Sequence, residues 1–250
     1  MKNIKHITND LLTAGSCALA HIPNYCMVRI LSLFTLVRVS RKQTADNLAA
    51  NRETLSAAAG ENGFFIPGHF IENQNEWESV RFGLSTMKYS GCEIMAVYNA
   101  LLDLGVRMTA QDMAELIGDF ERKGAERKGR WGCSPGSIRR YLLRRGYRVT
   151  MTTRRNPDMI DLIGENSDSI IITAYNDRND IRRMIHTVSV TKDSGGYYIL
   201  HNAYKRINGR YAAYGGNSPV GRLWDIIGLI SQGQAASICV IGIGKPQRLK

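Results

Sequence analysis

The sequence predicts an α+β fold in which helices come first and a mostly antiparallel β-sheet follows. Helix-start signals and helical apolar spacing dominate the chain up to about residue 145. Short β-branched segments separated by turn residues dominate the chain afterwards. An apolar content of 44% in 250 residues is enough for one domain-sized core and an additional segment.

The helices are predicted from their caps and stops. Thr109 and Asp112 have the spacing of a helix cap, and Ser134 followed by Pro135 is a typical N-cap and first-turn pair. Gly105 and Gly146 follow apolar segments as stop signals. The predicted helices are 90–104, 113–120, 136–145, 156–164 and 222–231.

The strands are predicted from β-branched and aromatic runs in the C-terminal half. Two of the runs, "HTVSVTK" and "YYILHNAY", flank the turn-forming residues 193–196 and therefore indicate a hairpin. The predicted strands are 147–151, 169–176, 186–192, 197–204 and 236–244. Several strands joined by short turns favour antiparallel pairing.

Cys92 lies at the predicted start of an apolar helix. Ser90 and Glu93 have the S-x-x-E spacing of a capping box, which would place Gly91 and Cys92 in the first turn. Free backbone N–H groups and the helix dipole at this position favour a thiolate, so Cys92 is a candidate nucleophile. The alternative is a small buried cysteine on an apolar helix face.

The base that such a thiol requires is predicted from the hairpin. Among five histidines, only His186 and His201 lie in predicted strands. Symmetric pairing about Ser194 places His186 opposite Asn202, where the amide can orient the imidazole as in a Cys-His-Asn set. A register slip of one residue would place Ala203 or His201 opposite His186 instead. The non-functional alternative is that His186 and Asn202 are simply solvated residues at the ends of their strands.

These residues, in this order, resemble the papain-like cysteine peptidase superfamily, and most closely its bacteriocin-processing (double-glycine) peptidase-like group. Four segments carry the resemblance, which spans about residues 85–245. They are "SGCEIMAVYNALL", "WGCSPGSIRRYLLRRGY", "HTVSV" and "YYILHNAY". The resemblance implies a nucleophile helix packed on a mostly antiparallel sheet, with Cys92 as nucleophile, His186 as base and Asn202 as orienting residue.

The chain departs from the family pattern at three places: directly after Cys92, directly after Asn202, and at Thr86. Glu93-Ile94 replaces the usual Gly-Pro after the cysteine, and Ala203-Tyr204 replaces the usual Asp-Pro after the last catalytic position. Thr86 stands where the family has a glutamine that donates to the oxyanion. Gln74 is the nearest glutamine upstream of Cys92. Thr86 and Lys88 are therefore the candidate oxyanion donors.

The function implied by the resemblance is thiol-dependent hydrolysis of a peptide or amide bond, with a peptide or protein as substrate. A transglutaminase-like acyl transferase would use the same three residues. A catalytically inactive papain-like domain that binds peptide is the other alternative, because the usual oxyanion glutamine is missing. The prediction includes neither a cofactor nor a metal.

Charge is the unusual feature of the composition. The chain has 33 Lys and Arg against 22 Asp and Glu, and the window 122–155 holds twelve basic residues against the single acid Glu126. Such a window can bind nucleic acid, anionic lipid or an acidic peptide, or it can be a solvated helix face. We expect weak binding to anionic surfaces through 122–155.

The domain organisation and compartment are predicted from polar segments and cysteine usage. Residues 1–60 are expected to form an N-terminal arm or pro-segment-like region, and residues 61–250 the peptidase domain. The five cysteines are odd in number and scattered, which is unlike a disulfide framework or a zinc site. Without a convincing signal peptide or membrane span, a cytoplasmic location is expected.

Overall fold

The computed structural model describes residues 23–60, 63–176, 185–207, 210–214, 220–230 and 236–246. The helices are α1 (23–33), α2 (Arg41–Ala58), α3 (Met87–Ser90), α4 (Cys92–Asp103), α5 (Ala110–Lys123), α6 (Pro135–Arg144), α7 (Pro157–Glu165) and α8 (Leu223–Leu229). Short 3-10 turns cover Phe34–Leu36, Gln74–Glu76 and Glu126–Gly129.

The strands are β1 (Arg81–Phe82), β2 (Ser85–Thr86), β3 (Arg148–Thr152), β4 (Ser169–Tyr175), β5 (Ile185–Lys192), β6 (Tyr198–His201), β7 (Ala203–Ile207), β8 (Arg210–Tyr214) and β9 (Ala236–Gly244). Strands β3 to β6 and β9 form one antiparallel sheet in the order β3-β9-β4-β5-β6. The pairs β1-β2 and β7-β8 are separate two-stranded sheets. The predicted α+β class is confirmed.

The main sheet is covered on both faces. Strands β4 and β9 are almost continuously apolar and buried, as strands covered on two sides are. Ile171 and Ile241 belong to a larger core that includes α4, α5 and α6, whereas Ile170 and Ile172 belong to a second core with α7 and α8. Alternation of side chains along β4 therefore separates two helical layers.

The helix caps follow the sequence signals closely. Thr109 and Asp112 form a reciprocal capping box at the start of α5. The Ser134 hydroxyl accepts the Ser137 N–H at the start of α6, where Pro135 occupies the first turn. These caps fix α5 and α6 against α4, whose first ten residues are all buried.

The described part of the predicted N-terminal arm packs on the main body. Val28, Val39 and Leu55 lie in the same core as α4 and α5. The Asn47 side chain donates from α2 to the Gly83 carbonyl (2.9 Å) and to Glu121 Oε1 (2.8 Å). None of the helices in the described ranges has the length and apolar content needed to cross a bilayer.

The predicted register of the β5-β6 hairpin is wrong by two residues. The structure pairs Val190 with Leu200 and Lys192 with Tyr198, so the hairpin is centred on Gly195 and not on Ser194. The reason is a five-residue turn in which Asp193 Oδ1 accepts the N–H groups of Gly195 and Tyr197. A shift of two preserves the face of every side chain.

Gly83 in the β1-β2 turn gives a test of the packing between this turn and the turn at 126–129. Gly83 has φ +58°, and a Cβ there would lie 2.1 Å from the Lys128 carbonyl oxygen. We predict that Gly83→Ala lowers the free energy of unfolding by about 1–2 kcal/mol for the left-handed conformation and about 1–3 kcal/mol for overpacking. Chemical denaturation measures the change.

Gly146 provides the matched control. Its φ is +82°, and no atom lies within 4 Å of a Cβ built there. Gly146→Ala should therefore show only the conformational part, about 1–2 kcal/mol. Equal losses for the two variants would contradict the close approach of residue 83 to the turn at 126–129.

Candidate active site

Cys92 is the first residue of α4, but the helix is not capped by Ser90. Gly91 is the N-cap, with its N–H donating to the Met87 carbonyl (3.0 Å) and its own carbonyl accepting from Ile94 and Met95. Ser90 ends the preceding helix α3, and its hydroxyl bonds instead to Ser85 Oγ (2.9 Å). The predicted capping box is therefore wrong.

Gly91 is required by close packing at this junction. A Cβ on Gly91 would lie 2.5 Å from the carbonyl oxygen and 2.8 Å from the Cα of Met87. These distances are shorter than van der Waals contact, so a side chain does not fit between α3 and α4. The tight junction places Cys92 at an abrupt helix start.

The Cys92 sulfur reaches strand β5. The backbone N–H groups of Thr187 and Glu93 interact with it, and both interactions act to lower the pKa of the thiol. Burial, and then the adjacent Glu93 carboxyl, act in the opposite direction and raise the pKa of the Cys92 thiol well above its usual value. Cys92 is thus a protonated thiol, contrary to the thiolate expected at a helix N-terminus.

A pair of buried carboxyl groups lies beside the thiol. Burial raises the pKa of Glu93 to about 7, and burial together with the Glu93 charge raises the pKa of Glu126 to about 9. Glu93 Oε2 and Glu126 Oε1 have no hydrogen-bond partner within the described ranges. Gly132 accommodates the pair, since a Cβ there would lie 2.7 Å from Glu93 Oε2.

His186 is buried near the start of β5, one residue before the Thr187 N–H that meets Cys92. Its Nε2 donates to the main-chain carbonyl of Asn202 at 2.6 Å. Because a carbonyl only accepts, Nε2 carries the proton and Nδ1 is the basic nitrogen. Burial lowers the pKa of His186 to about 4, and the ring is therefore neutral at pH 7.

The observed register does not place Asn202 opposite His186, as was predicted; Asn202 meets the ring through its backbone carbonyl and not through its amide. It lies between β6 and β7 with φ +54°, a left-handed conformation that asparagine tolerates. Its Oδ1 accepts the Gln74 N–H (3.1 Å), and its Nδ2 faces Met95 Sδ on α4 at 3.7 Å. The side chain thus connects the hairpin to the nucleophile helix.

Glu72 holds this left-handed turn, and the sequence analysis missed it. One carboxylate oxygen accepts from His201 Nδ1 (2.5 Å), and the other accepts the Asn202 N–H (2.9 Å). Thr191 Oγ1 is 2.9 Å from His201 Nε2, which completes the pairing of that imidazole. His201 is thereby a structural residue. No local pattern marks Glu72, because it lies in an irregular segment far from the hairpin in sequence.

Gln74 links the turn to the segment before Cys92. Its Nε2 donates to the carbonyls of Met87 (3.1 Å) and Lys88 (2.9 Å), and its buried side chain also meets Asn202 Nδ2. The distance in sequence from Cys92 gave no reason to predict this role. Gln74 therefore connects the segment before Cys92 with Asn202.

The two predicted oxyanion donors have different surroundings. Thr86 Oγ1 is buried and has no hydrogen-bond partner in the described part of the chain, so its hydroxyl is free to donate. Lys88 Nζ donates to Glu78 at 2.7 Å, a contact that raises the pKa of the ammonium. Thr86 is consequently the stronger donor candidate.

Four cysteines lie in the described ranges, and all are free thiols; they are Cys26, Cys92, Cys133 and Cys239. Within the same ranges, no group of three or more His, Cys, Asp or Glu side chains is arranged to hold a metal ion.

The carboxyl pair predicts a pH dependence of stability. Above about pH 4.5 an unfolded chain releases the Glu126 proton, whereas the folded chain keeps it up to about pH 9. The free energy of unfolding therefore falls as pH rises through this window. Glu126→Gln should make the fall shallower by about 1 kcal/mol or more between pH 6 and 8.

Chemical denaturation at a series of pH values measures this effect. Glu53→Gln is the control, because Glu53 is an exposed carboxylate on α2. It should leave the pH dependence unchanged. Parallel stability curves for Glu126→Gln and the wild type would show that Glu126 is ionised in the folded protein.

No protein-family model, no curated protein and no solved structure matches this chain. The function of the site therefore has to be inferred from its own geometry and chemistry.

Proposed function

We propose that the protein is a cysteine peptidase of papain-like type, in which Cys92 attacks the carbonyl of a peptide or amide. One observation carries the proposal. The Cys92 sulfur meets the backbone N–H of Thr187, so that it borders the peptide of His186, and the His186 ring is itself oriented by Asn202. A thiol, an imidazole and an acceptor that orients the imidazole are the groups that acyl transfer requires.

Both reacting groups are neutral in the resting site. Attack by Cys92 on the carbonyl carbon has to be accompanied by transfer of the thiol proton to His186 Nδ1. The imidazolium then donates this proton to the leaving amine, the C–N bond breaks and a thioester remains. Water, deprotonated by His186, attacks the thioester and releases the acid and the Cys92 thiol.

The hydrogen bond to Asn202 keeps Nε2 protonated throughout this cycle and stabilises the imidazolium that forms. The developing oxyanion needs at least two donors. The Cys92 N–H at the helix start is one, and the unpaired Thr86 hydroxyl is the other. An amine in place of water would give the transglutaminase-like outcome with the same residues.

A catalytically inactive peptide-binding domain is the second candidate. The observation that favours it is the protonation of the site: the pKa of Cys92 is raised and that of His186 is lowered, which makes proton transfer between them unfavourable before substrate binds. Glu93, which replaces a glycine of the family pattern, contributes to the raised pKa of Cys92.

The test of the proposal is covalent trapping and cleavage. We predict that a peptide aldehyde forms a hemithioacetal on Cys92, and that mixed peptide libraries are cleaved by the wild type but not by Cys92→Ser. His186→Gln should lower the cleavage rate on the order of 10²–10⁴-fold. Mass spectrometry reads both the adduct and the products.

Cys239→Ser is the matched control, because Cys239 is a buried thiol in β9. It should cleave at the wild-type rate. Cleavage that survives in Cys92→Ser would refute the peptidase. Peptide binding without cleavage in both Cys92→Ser and wild type would establish the inactive binding domain instead.

The adjoining acid gives a second prediction, on the reactivity of the thiol. Ionised Glu93 disfavours the Cys92 thiolate, so Glu93→Gln should lower the pKa of the thiol. Its iodoacetamide labelling at pH 8 should accelerate by about tenfold for each unit by which that pKa falls. Peptide mapping after timed labelling measures the rate for each cysteine.

The exposed Glu165 serves as the control for this variant. Glu165→Gln removes one negative charge from the surface and should leave the labelling of Cys92 unchanged. An unchanged or slower rate in Glu93→Gln would mean that Glu93 does not oppose ionisation of the nucleophile.

A further inference from the structure

Strand β3 is an open edge of the main sheet. In the order β3-β9-β4-β5-β6 it pairs only with β9, and no other described strand adjoins it. An edge strand offers backbone N–H and C=O groups to an added strand. Three strand spacings, or about 14 Å, separate β3 from β5, which carries His186. The edge is therefore distinct from the candidate active site.

A groove of about 860 Å³ runs along this edge between α1, α6 and α7. Residues 150–154 line it without interruption. Successive side chains of a strand point to opposite faces of the sheet. Five consecutive residues can therefore all line one groove only if the groove faces the edge of the strand, where the backbone is accessible. Asn24 Nδ2 donates to the Thr153 carbonyl (3.1 Å) and closes one end of the open edge.

The walls of the groove combine apolar and cationic side chains. Met151, Met159 and Leu162 supply apolar surface, and the Leu162 side chain is 58% exposed. Four arginines line the same groove, which are Arg29, Arg139, Arg140 and Arg154. Among the described residues that line it, none is Asp or Glu.

Two of these cations are unpaired. Within the described ranges, no carboxylate lies at salt-bridge distance from Arg139 or Arg154, both of which are exposed. The Arg140 guanidinium is partly buried, and this burial lowers its pKa, with Arg144 adding repulsion. An anionic ligand would relieve this unfavourable charge.

We infer that this groove binds an extended acidic segment of a partner protein, which adds to the sheet as a strand beside β3. The open backbone edge would supply the pairing, the methionines and Leu162 would receive apolar side chains, and the arginines would bind carboxylates. The occupant is a peptide strand because the edge offers backbone pairing that neither a phosphodiester nor a lipid headgroup reproduces.

Other occupants fit the charge and the surface less well. Tyr25 is the single aromatic side chain among the lining residues, whereas single-stranded nucleic acid requires several to stack its bases. A second copy of the chain paired through β3 would bring like-charged arginines together. The segment 1–22 carries Lys2 and Lys5 against Asp10, so its net charge does not complement the groove.

The test uses the full chain and a fluorescein-labelled twelve-residue peptide of alternating Glu and Val. Fluorescence anisotropy should show saturable binding that weakens with salt. A peptide of alternating Glu and Pro has the same charge but cannot donate from its prolines to an edge strand, and it should bind at least about tenfold more weakly. Equal affinity of the two peptides would overturn strand pairing.

Variants test the cationic wall. The double variant Arg139→Glu with Arg154→Glu should weaken binding of the Glu-Val peptide by at least about tenfold. The double variant Arg81→Glu with Arg107→Glu changes two exposed arginines outside the groove, and thus the net charge by the same amount; it is the control and should bind as the wild type does. Equal loss in both variants would reduce the effect to net charge and overturn the assignment of the groove.

Competing ligands complete the experiment. Stronger binding of an oligothymidylate or of phosphatidylserine vesicles than of the Glu-Val peptide would overturn the proposal, as would a sedimentation shift showing that copies of the chain pair through β3. Cys92→Ser should bind the Glu-Val peptide as the wild type does. The groove proposal and the peptidase proposal can therefore be refuted independently of each other.

Discussion

The packing of α4 against β5 is the contact on which the candidate site depends. The first ten residues of α4 are buried, so the helix has little freedom to rotate or slide on the sheet. Its N-terminus is fixed by the close approach of Gly91 to Met87 and meets the β5 backbone at Thr187. The chemistry of Cys92 is consequently set by a core contact and not by a surface loop.

A second set of contacts holds Asn202, whose carbonyl accepts from His186. Glu72 and Gln74 precede α4 in the chain, and both bond to Asn202 in the hairpin more than a hundred residues later. Burying these polar groups without hydrogen-bond partners would destabilise the fold. The groups of the 72–74 segment and those of Asn202 provide partners for one another. The hairpin and the segment before Cys92 are therefore positioned by one hydrogen-bonded network.

The sequence predicted most of the helices and the strands of the main sheet, but the predicted strand 197–204 is divided at Asn202 into β6 and β7, which belong to different sheets. The caps at Thr109 and Ser134 are local signals, and local signals determined the starts of α5 and α6 correctly. The start of α4 was wrong because Ser90 finds a nonlocal partner in the Arg130 carbonyl and the serine at position 85. The hairpin register was wrong by two residues because the Asp193 side chain organises a longer turn.

The protonation of the site was beyond sequence reasoning for a similar physical reason. A helix N-terminus favours a thiolate in isolation, but burial and the Glu93 carboxyl act more strongly at Cys92. Burial is a property of the assembled layers. Glu126, the second member of the carboxyl pair, comes from a segment that the sequence marked only as basic.

The left-handed backbone at residue 202 changes what defines the third member of the proposed triad. The group that orients His186 is a main-chain carbonyl, which every amino acid possesses. The requirement at this position is a backbone that reaches φ near +54°, which glycine and aspartate also adopt. A search for chains of this kind by a Cys-His-Asn signature would thus select for an amide that the imidazole does not use.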